Sequence, residues 1–227
     1  MTQQRVPVLS LSVIALWWAY GIWTAVASPT LIPAQFSDLV LSIAIRKTIV
    51  LIAIGILLRL DGDGLQRLGF TSPQWLAHIR RGIVYAVPVF IGIDVVLTTV
   101  LGSLISRSSP GAVGAITTFF RDPVHLLAWI PVGVIGGGCV EELERAFVLT
   151  RFEKWFGTPG LYVALVVSSV VFGVAHLYQG VSGAIAAGVS GLVFGLVYLR
   201  RRSGLEAAAC HAFADVLGVI AATLLAK

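Results

Sequence analysis

The sequence predicts an all-α membrane protein, a polytopic bundle of about seven transmembrane helices. Of its 227 residues, 57% are hydrophobic and only 12% are charged, and the mean hydropathy is +0.93. Soluble domains carry about 25% charged residues, so this composition excludes an ordinary soluble fold. The apolar residues fall in runs of about 20, the length that a helix needs to cross the hydrocarbon core. No separate soluble domain fits between these runs.

Seven predicted spans are separated by short polar segments. They cover 8–27, 39–58, 82–105, 126–150, 160–178, 181–199 and 204–226. The first run is too long and too rich in tryptophan for a signal peptide, and we interpret it as a retained span. The polar loop after the second span contains Asp61-Gly-Asp63-Gly, which we interpret as a turn and not as a calcium loop, because the later ligands are missing.

The basic residues support this layout and predict its orientation. With the N-terminus inside, ten lysines and arginines fall on predicted inner segments: Arg5, Arg59, Arg67, Arg80, Arg81, Arg151, Lys154, Arg200, Arg201 and Arg202. Only Arg107, Arg121 and Lys227 fall outside. Cytoplasmic loops carry the excess of positive charge, so we expect a multi-pass protein of the cell membrane with its C-terminus outside. The basic residues lie at helix ends, so the expected partner is the lipid bilayer and not nucleic acid.

A concentration of charge interrupts the fourth span. Glu141, Glu142, Glu144 and Arg145 stand within five residues, directly after an apolar run. Ionisable groups within a span are costly and indicate a functional site. Arg46-Lys47 interrupts the second span in a similar way. Either that span begins near Lys47 after an interfacial helix, or these side chains snorkel or face a polar cavity.

Two further motifs, Phe172…His176 and His211…Asp215, place polar groups in the fifth and seventh spans. Each is an i, i+4 pair, as is Glu141…Arg145, so each pair shares one helix face. A glutamate and a histidine together can remove a proton from water, and a histidine oriented by an aspartate can stabilise an oxyanion. Arg145 can pair with Glu141 and lower the cost of burying it.

Other interpretations stay open at this point. The pairs could form a polar network that only fixes helix packing. Two histidines and a glutamate also suit zinc, although no His-Glu-x-x-His motif is present. A transporter would use Asp94, Arg46 and Lys47 as pathway residues, without support from an inverted repeat. Cys139 and Cys210 are interpreted as small buried hydrophobic residues.

In their order and spacing, the three motifs resemble those of the CPBP intramembrane proteases, also called the Abi or CAAX-protease family. That family includes the Ras-converting prenyl-protein endopeptidases, and its motifs are Glu-Glu-x-x-x-Arg, Phe-x-x-x-His and His-x-x-x-Asn or Asp. Phe172…His176 and His211…Asp215 match the second and third motifs, and the resemblance covers about 126–226. It divides the bundle into N-terminal helices and loops (1–123) and a CPBP-like catalytic helical core (124–227).

The resemblance implies an intramembrane endopeptidase of glutamate type that cuts near the membrane-anchored end of a protein or peptide. Glu141 or Glu142 would activate water together with His176. His211 and Asp215 would form the oxyanion site, and Phe172 and Arg145 would shape it. No metal and no other cofactor is expected, with zinc as the less favoured alternative. The substrate could be a prenylated CAAX protein, a peptide precursor or a C-terminal sorting anchor.

The first motif departs from the family pattern. Only Leu143 and Glu144 separate Glu142 from Arg145, where the family has three residues. One residue rotates a helical position by about 100°, so both glutamates and Arg145 cannot all keep the family geometry in a regular helix. Either a local bulge absorbs the difference, or the roles are redistributed and Glu144 takes part. A third possibility is a non-catalytic scaffold or immunity protein of the same fold.

The predicted depths of the motifs also differ. Arg151 and Arg202 should mark the inner surface, which places Glu141 and His211 roughly 15 Å deep, near the midplane. His176 falls close to the outer end of the fifth span. That span must therefore be tilted, kinked or shifted for the three motifs to meet.

Overall fold

The computed structural model describes residues 5–27, 33–105, 119 and 122–225 of the chain. Its α-helices are α1 (Arg5–Ala27), α2 (Phe36–Leu60), α3 (Trp75–Val89), α4 (Thr98–Leu104), α5 (Pro123–Val132), α6 (Glu142–Ala175), α7 (Gly180–Arg201) and α8 (Gly204–Leu225). Two π-helices, Phe90–Leu97 and Gly133–Glu141, and two short 3₁₀ helices, Leu65–Leu68 and Leu177–Gln179, complete these elements. No strand occurs within these ranges, so the predicted all-α bundle is confirmed. Arg107, Arg121 and Lys227, which carry the predicted outer charge, lie outside the described residues.

Six helical segments are long and apolar enough to cross a membrane. The fourth, Pro123–Ala175, has 53 residues and is interrupted at Gly157, whose backbone is non-helical (φ 66°, ψ −162°). On a straight helix Arg145 and Phe172 would stand about 40 Å apart, yet the Arg145 guanidinium lies 4.9 Å from the centre of the Phe172 ring. The segment therefore folds back on itself as a first arm (123–156) and a second arm (158–175). The count of seven spans stays a prediction.

The two π-helices each follow a proline within an otherwise helical segment. Pro88 lies near the end of α3 and Pro131 near the end of α5, and the π-helices begin at Phe90 and Gly133. Proline lacks an N–H group and clashes with the carbonyl one turn earlier, so the regular hydrogen-bond ladder cannot continue through it. Single π-helical turns occur often at functional sites. The second of these segments ends on Glu141, beside the charged motif.

Two clusters of buried apolar residues hold the bundle together. One joins α1, α2 and α7 to both arms, around residues such as Ile54, Phe147, Leu165 and Tyr198. The other packs α3 and its π-helical extension against α7 and α8, with Phe194 and Cys210 among its members. The surface of the second arm is apolar as well, since Val163, Val166 and Val170 are exposed. Such a surface suits contact with lipid.

The polar loops predicted to lie inside meet at one end of the bundle. Arg151 is completely buried, and its guanidinium contacts Asp61 Oδ2 at 3.1 Å and Asp63 Oδ2 at 2.6 Å. Lys154 lies 3.5 Å from Asp63 and 3.6 Å from Asp61. Asp61-Gly-Asp-Gly is a turn, as predicted, because the N–H groups of residues 61–63 donate to carbonyls at the end of α2. This turn is thus tied by charge to the first arm.

A second ionic cluster closes the same end. Glu206, buried in the first turn of α8, accepts a hydrogen bond from Arg81 at 3.0 Å and contacts His78 at 3.1 Å. His78 is therefore turned toward the inside of the bundle, where it meets the carboxylate of Glu206. Arg202 and Glu153 form a bidentate pair, with both contacts at 2.7 Å.

The two cysteines differ in exposure. Cys210 is buried, as predicted, whereas Cys139 is exposed on the π-helix Gly133–Glu141.

Asp63→Asn should lower the free energy of unfolding by about 1–3 kcal/mol, because it weakens a charged hydrogen bond to a buried arginine. Burial alone would raise the pKa of Asp63, but the hydrogen bond and charge of Arg151 hold it below its ordinary value of 3.8. A carboxylate with a lowered pKa stabilises the fold above pH 3.8 and loses this contribution as the pH falls through the lowered value.

Thermal unfolding in detergent micelles at neutral and acid pH measures this difference. The gap between the wild-type and variant midpoints should close at acid pH. Asp38→Asn, at an exposed carboxylate in the first turn of α2, is the matched control and should shift the midpoint little. A gap that stays constant down to acid pH would contradict the prediction.

Candidate active site

His211, on α8, is the point at which the polar residues of the bundle meet. Its side chain is buried, and its Nδ1 lies 2.9 Å from Glu142 Oε1. An ionised carboxylate only accepts hydrogen bonds, so Nδ1 carries the hydrogen and donates it to Glu142. The other ring nitrogen, Nε2, lies 3.6 Å from Asp215 Oδ1 and 3.9 Å from Glu141 Oε2. The first and third sequence motifs are therefore in contact.

Two aromatic rings fix the plane of the His211 imidazole. Phe194 stacks on it with ring centres 4.3 Å apart, and Phe172 meets it edge-on at 5.9 Å. A ring held on one face, at one edge and at Nδ1 has little freedom to rotate. Nε2 therefore points in a fixed direction.

Arg145 pairs with Glu142, and not with Glu141 as the i, i+4 spacing predicts. Its Nε lies 3.1 Å and 3.3 Å from the two carboxylate oxygens of Glu142, and both side chains are buried. Regular α-helix begins at Glu142, so the i, i+3 neighbour of Arg145 faces it while Glu141 belongs to the preceding π-helix. A bulge is thus present beside the first motif, on the N-terminal side of the glutamate pair.

Glu141 pairs with Lys47, a contact that the sequence analysis does not identify. Lys47 Nζ lies 2.6 Å from Glu141 Oε1, and the side chains are 21% and 22% exposed. Helix α2 is continuous through this point, so Lys47 faces a polar site inside the bundle. Arg46 behaves differently, because its exposed side chain donates to the carbonyl of Ser42 on its own helix. In the sequence, the one indication of this role was that Arg46 and Lys47 interrupt the second predicted span.

His176 lies at the end of the second arm, as the residue that caps α6. Its Nδ1 donates to the Phe172 carbonyl oxygen at 2.7 Å, and its ring lies 4.5 Å from the Phe172 ring centre. Nε2 is thereby left as the basic nitrogen of a neutral ring. Glu141 interacts electrostatically with His176, as it does with His211 and Lys47. His176 thus borders the site without contacting either ring nitrogen of His211.

Phe172 and Arg145 connect the two arms at the site, as the contact between the guanidinium and the ring shows. Two glycines of α7 make this arrangement possible. A methyl group on Gly191 would lie 3.0 Å from Arg145 Nη1, and one on Gly195 would clash with Leu165. Gly191 and Gly195 therefore allow α7 to approach α6 closely, as small residues spaced by four do between membrane helices.

Glu144 lies apart from the other site residues. It borders a small apolar pocket between α1, α2 and the first arm, which Trp17 also lines. It interacts electrostatically with Lys47, Glu141 and Arg145. This position favours a structural role for Glu144 over a direct part in the chemistry.

Two residues missed as site members stand at the edge of the cluster. Asp94, on the π-helix Phe90–Leu97, interacts electrostatically with His211 and Asp215. Tyr178 follows His176, with ring centres 5.6 Å apart, and interacts electrostatically with Glu141 and Asp215. Neither lies within a charged motif of the sequence, so periodicity gave no reason to group them with the site. In the described part of the chain, no group of three or more His, Cys, Asp or Glu side chains is arranged to hold a metal ion.

The sequence of the C-terminal region matches a known family. Residues 123–217 match the family model described as Rce1-like, type II CAAX prenyl endopeptidase Rce1-like. The resemblance to the CAAX-protease family is therefore confirmed. No curated protein matches the chain, and no solved structure matches it either.

The CAAX-type match implies a peptidase in a lipid environment with a membrane-embedded protein substrate. The matched CAAX-protease region contains all three motifs, from Glu141 to Asp215. It does not contain Lys47 or Asp94, which α2 and the first π-helix bring to the same site. The N-terminal helices therefore contribute side chains to the cluster as well as packing.

Three consecutive glycines on the π-helix should respond differently to alanine. In Gly138→Ala the new methyl group would clash with Ala212 of α8 and lie 2.9 Å from the Ala208 carbonyl oxygen. We expect a loss of about 1–3 kcal/mol of unfolding free energy, because backbone atoms cannot rotate away. In Gly137→Ala the methyl group would lie 2.5 Å from Asp215 Oδ2. The Asp215 side chain can rotate away, so the fold should tolerate the methyl group, but Asp215 would then lose its contact with His211.

Gly136→Ala is the matched control, since its nearest neighbour, Ile43 Cγ2, would be 3.7 Å away. Thermal unfolding of the three variants tests the order. Gly136→Ala and Gly137→Ala should unfold near the wild-type temperature, and Gly138→Ala well below it. Equal stability of all three variants would refute the close approach of the π-helix to α8.

Proposed function

We propose that the protein is a glutamate-type intramembrane endopeptidase that hydrolyses a peptide bond near the membrane-anchored end of a protein or peptide. One observation carries the proposal: His211 presents Nε2 to Glu141 and Asp215 while Glu142 holds its Nδ1. A histidine with one nitrogen held by a carboxylate and the other free resembles the oriented histidine of other hydrolases in its arrangement.

Glu141 and His176 are the proposed water-activating pair. Both oxygens of Glu142 already contact Arg145, and Oε1 also accepts from His211, so Glu142 serves better as an orienting group. Glu141 is partly exposed and has one oxygen, Oε2, directed toward the histidine side of the site. His176 has a basic Nε2 in electrostatic range of Glu141. Either group can accept a proton from a water molecule placed between them.

His211 and Asp215 are the proposed oxyanion site. In the proposed reaction, the water oxygen attacks the carbonyl carbon of the scissile bond and its proton passes to the pair of Glu141 and His176. In this step His211 carries a hydrogen on both ring nitrogens: Nδ1 donates to Glu142, and Nε2 donates to the oxygen that becomes negative. A protonated Asp215 could donate a second hydrogen bond to the same oxygen. The tetrahedral intermediate then breaks its C–N bond, and the proton returns to the leaving amine.

The proposed substrate is anchored in the membrane at one end. A prenylated CAAX protein, a peptide precursor and a C-terminal sorting anchor all fit a site that is reached from the bilayer. We further propose that the protein resides in the cell membrane with its N-terminus inside. The meeting of the predicted inner loops at one end of the bundle, through Arg151 and Glu206, supports this orientation.

A non-catalytic scaffold or immunity protein of the same fold is the second candidate. The observation that favours it is the ion pair between Lys47 and Glu141, because it occupies one oxygen of the proposed base. In a scaffold these charges would only fix the packing of α2 against the first arm. A zinc-dependent peptidase is the third candidate, and metal analysis with chelator treatment addresses it.

Replacing His176 or His211 with alanine, or Glu141 with glutamine, should lower kcat/KM by roughly 10²–10⁴-fold, the usual effect of losing an acid–base or oxyanion group. Cleavage is measured in proteoliposomes with three substrates: a prenylated CAAX peptide, the same peptide without the prenyl group, and a transmembrane peptide with a short polar tail.

The matched controls are His125→Ala and Glu153→Gln, which alter a histidine and a glutamate away from the cluster. They should cleave at the wild-type rate. Full activity in the His176 and His211 variants would refute the proposal, and loss of activity on chelation with recovery by zinc would favour the metal-dependent candidate. If the protein protects cells as an immunity protein does, and this protection persists in the His176 and His211 variants, the non-catalytic scaffold would be favoured.

A further inference from the structure

Lys47 lies in the middle of α2, and its side chain points into the bundle, where it contacts Glu141. By helical rise it stands about 16 Å from the Phe36 end of α2 and about 20 Å from the Leu60 end. It is therefore near the midplane of the bilayer, where an unpaired ammonium is costly. Its neighbour Arg46 is exposed and its side chain donates to the carbonyl of Ser42 on its own helix, whereas Lys47 contacts Glu141 directly.

The contact of Lys47 with Glu141 is specific in its atoms. Nζ lies 2.6 Å from Oε1, a short charge-assisted hydrogen bond, and the Lys47 stem passes over Gly136, with Cε 4.0 Å from the place of a methyl group there. The other oxygen, Oε2, is the one that lies 3.9 Å from His211 Nε2. One oxygen of Glu141 is thus held by Lys47, and the second is directed toward His211.

We propose that Lys47 is a positioning residue for the peptidase reaction: it keeps Glu141 ionised and turned so that Oε2 can accept the proton of the attacking water. The proposal rests on the proposed function, in which Glu141 is the base. It adds a residue from outside the matched region 123–217. A carboxylate that is mostly shielded from water, as Glu141 is, is held in its charged form by a cation in contact with it, and a protonated carboxyl group cannot act as a base.

The first test compares Lys47→Met, which keeps the stem and removes the charge, with Lys47→Arg, which keeps the charge. Lys47→Met should lower kcat by roughly 10–100-fold, as is usual for removing a group that orients a reacting residue, with KM within a factor of about three. Lys47→Arg keeps the positive charge, so its kcat should be much closer to the wild-type value than the kcat of Lys47→Met. Arg46→Met is the matched control at the adjacent, exposed cation and should keep the wild-type kcat.

A cycle of single and double variants separates positioning from folding. Lys47→Met combined with Glu141→Gln removes both charges and leaves none unpaired, so it should fold even if Lys47→Met alone does not. The double variant should be no slower than Glu141→Gln alone, because the lysine acts through the glutamate. Additive losses of the two substitutions would overturn the proposal.

Infrared spectroscopy provides a readout that does not depend on peptidase activity. Lys47→Met should show one protonated-carboxyl stretch in addition to any that the wild type shows, and the double variant should lack this additional band. If the wild type cleaves peptides but Lys47→Met is fully active and lacks this band, the Lys47 proposal fails while the proposed function stands. If the wild type cleaves none of the three substrates, the proposed function fails, and the band still reports whether Lys47 holds Glu141 ionised.

Discussion

The hydrogen bond between Glu142 and His211 is the interaction around which the other polar contacts of the candidate site are arranged. It joins the first arm to α8 between two buried groups, and Arg145 supplies the positive charge that a buried carboxylate needs. Gly138 permits the close approach, since any larger side chain would strike Ala212. With Nδ1 fixed, His211 Nε2 faces Glu141 and Asp215, and the cation of Arg145 draws Phe172 and the second arm to the same point.

Much of this arrangement could be predicted from the sequence. Composition alone predicts a helical membrane bundle, because 12% charged residues cannot cover a soluble protein of this size. The cost of intramembrane charge identified Glu141, Glu142 and His211 as candidates before any geometry was known. Aspartates and glycines in 61–64 were enough to predict the turn that Arg151 holds in place.

The partners of the charged residues could not be predicted, because the chain leaves regular α-helical geometry just before Glu142. The i, i+4 rule pairs Arg145 with Glu141, but the π-helix ending at Glu141 turns that residue toward α2. Pro131 followed by a run of glycines was the available signal for this irregularity. Lys47 is 94 residues from Glu141 in sequence, and such a contact leaves no periodic pattern in a single chain. His176 lies at the end of α6, as predicted for the end of the fifth span, and the turn at Gly157 brings the second arm back beside the first.

The turn at Gly157 also bears on how the chain enters the membrane. The first arm holds Glu141, Glu142, Glu144 and Arg145, and a charged residue at the centre of a lone helix costs about 3 kcal/mol on insertion. The second arm is apolar, so a helical hairpin formed at Gly157 can enter as one unit although its first arm alone could not. His211 reaches Glu142 only after α8 has been synthesised, so until then the inserted first arm lacks one partner of its buried charges. The charges that suit the site for chemistry thus also make the stability of the inserted hairpin depend on a helix that follows it, and glycosylation mapping of chains shortened before α8 would measure this dependence.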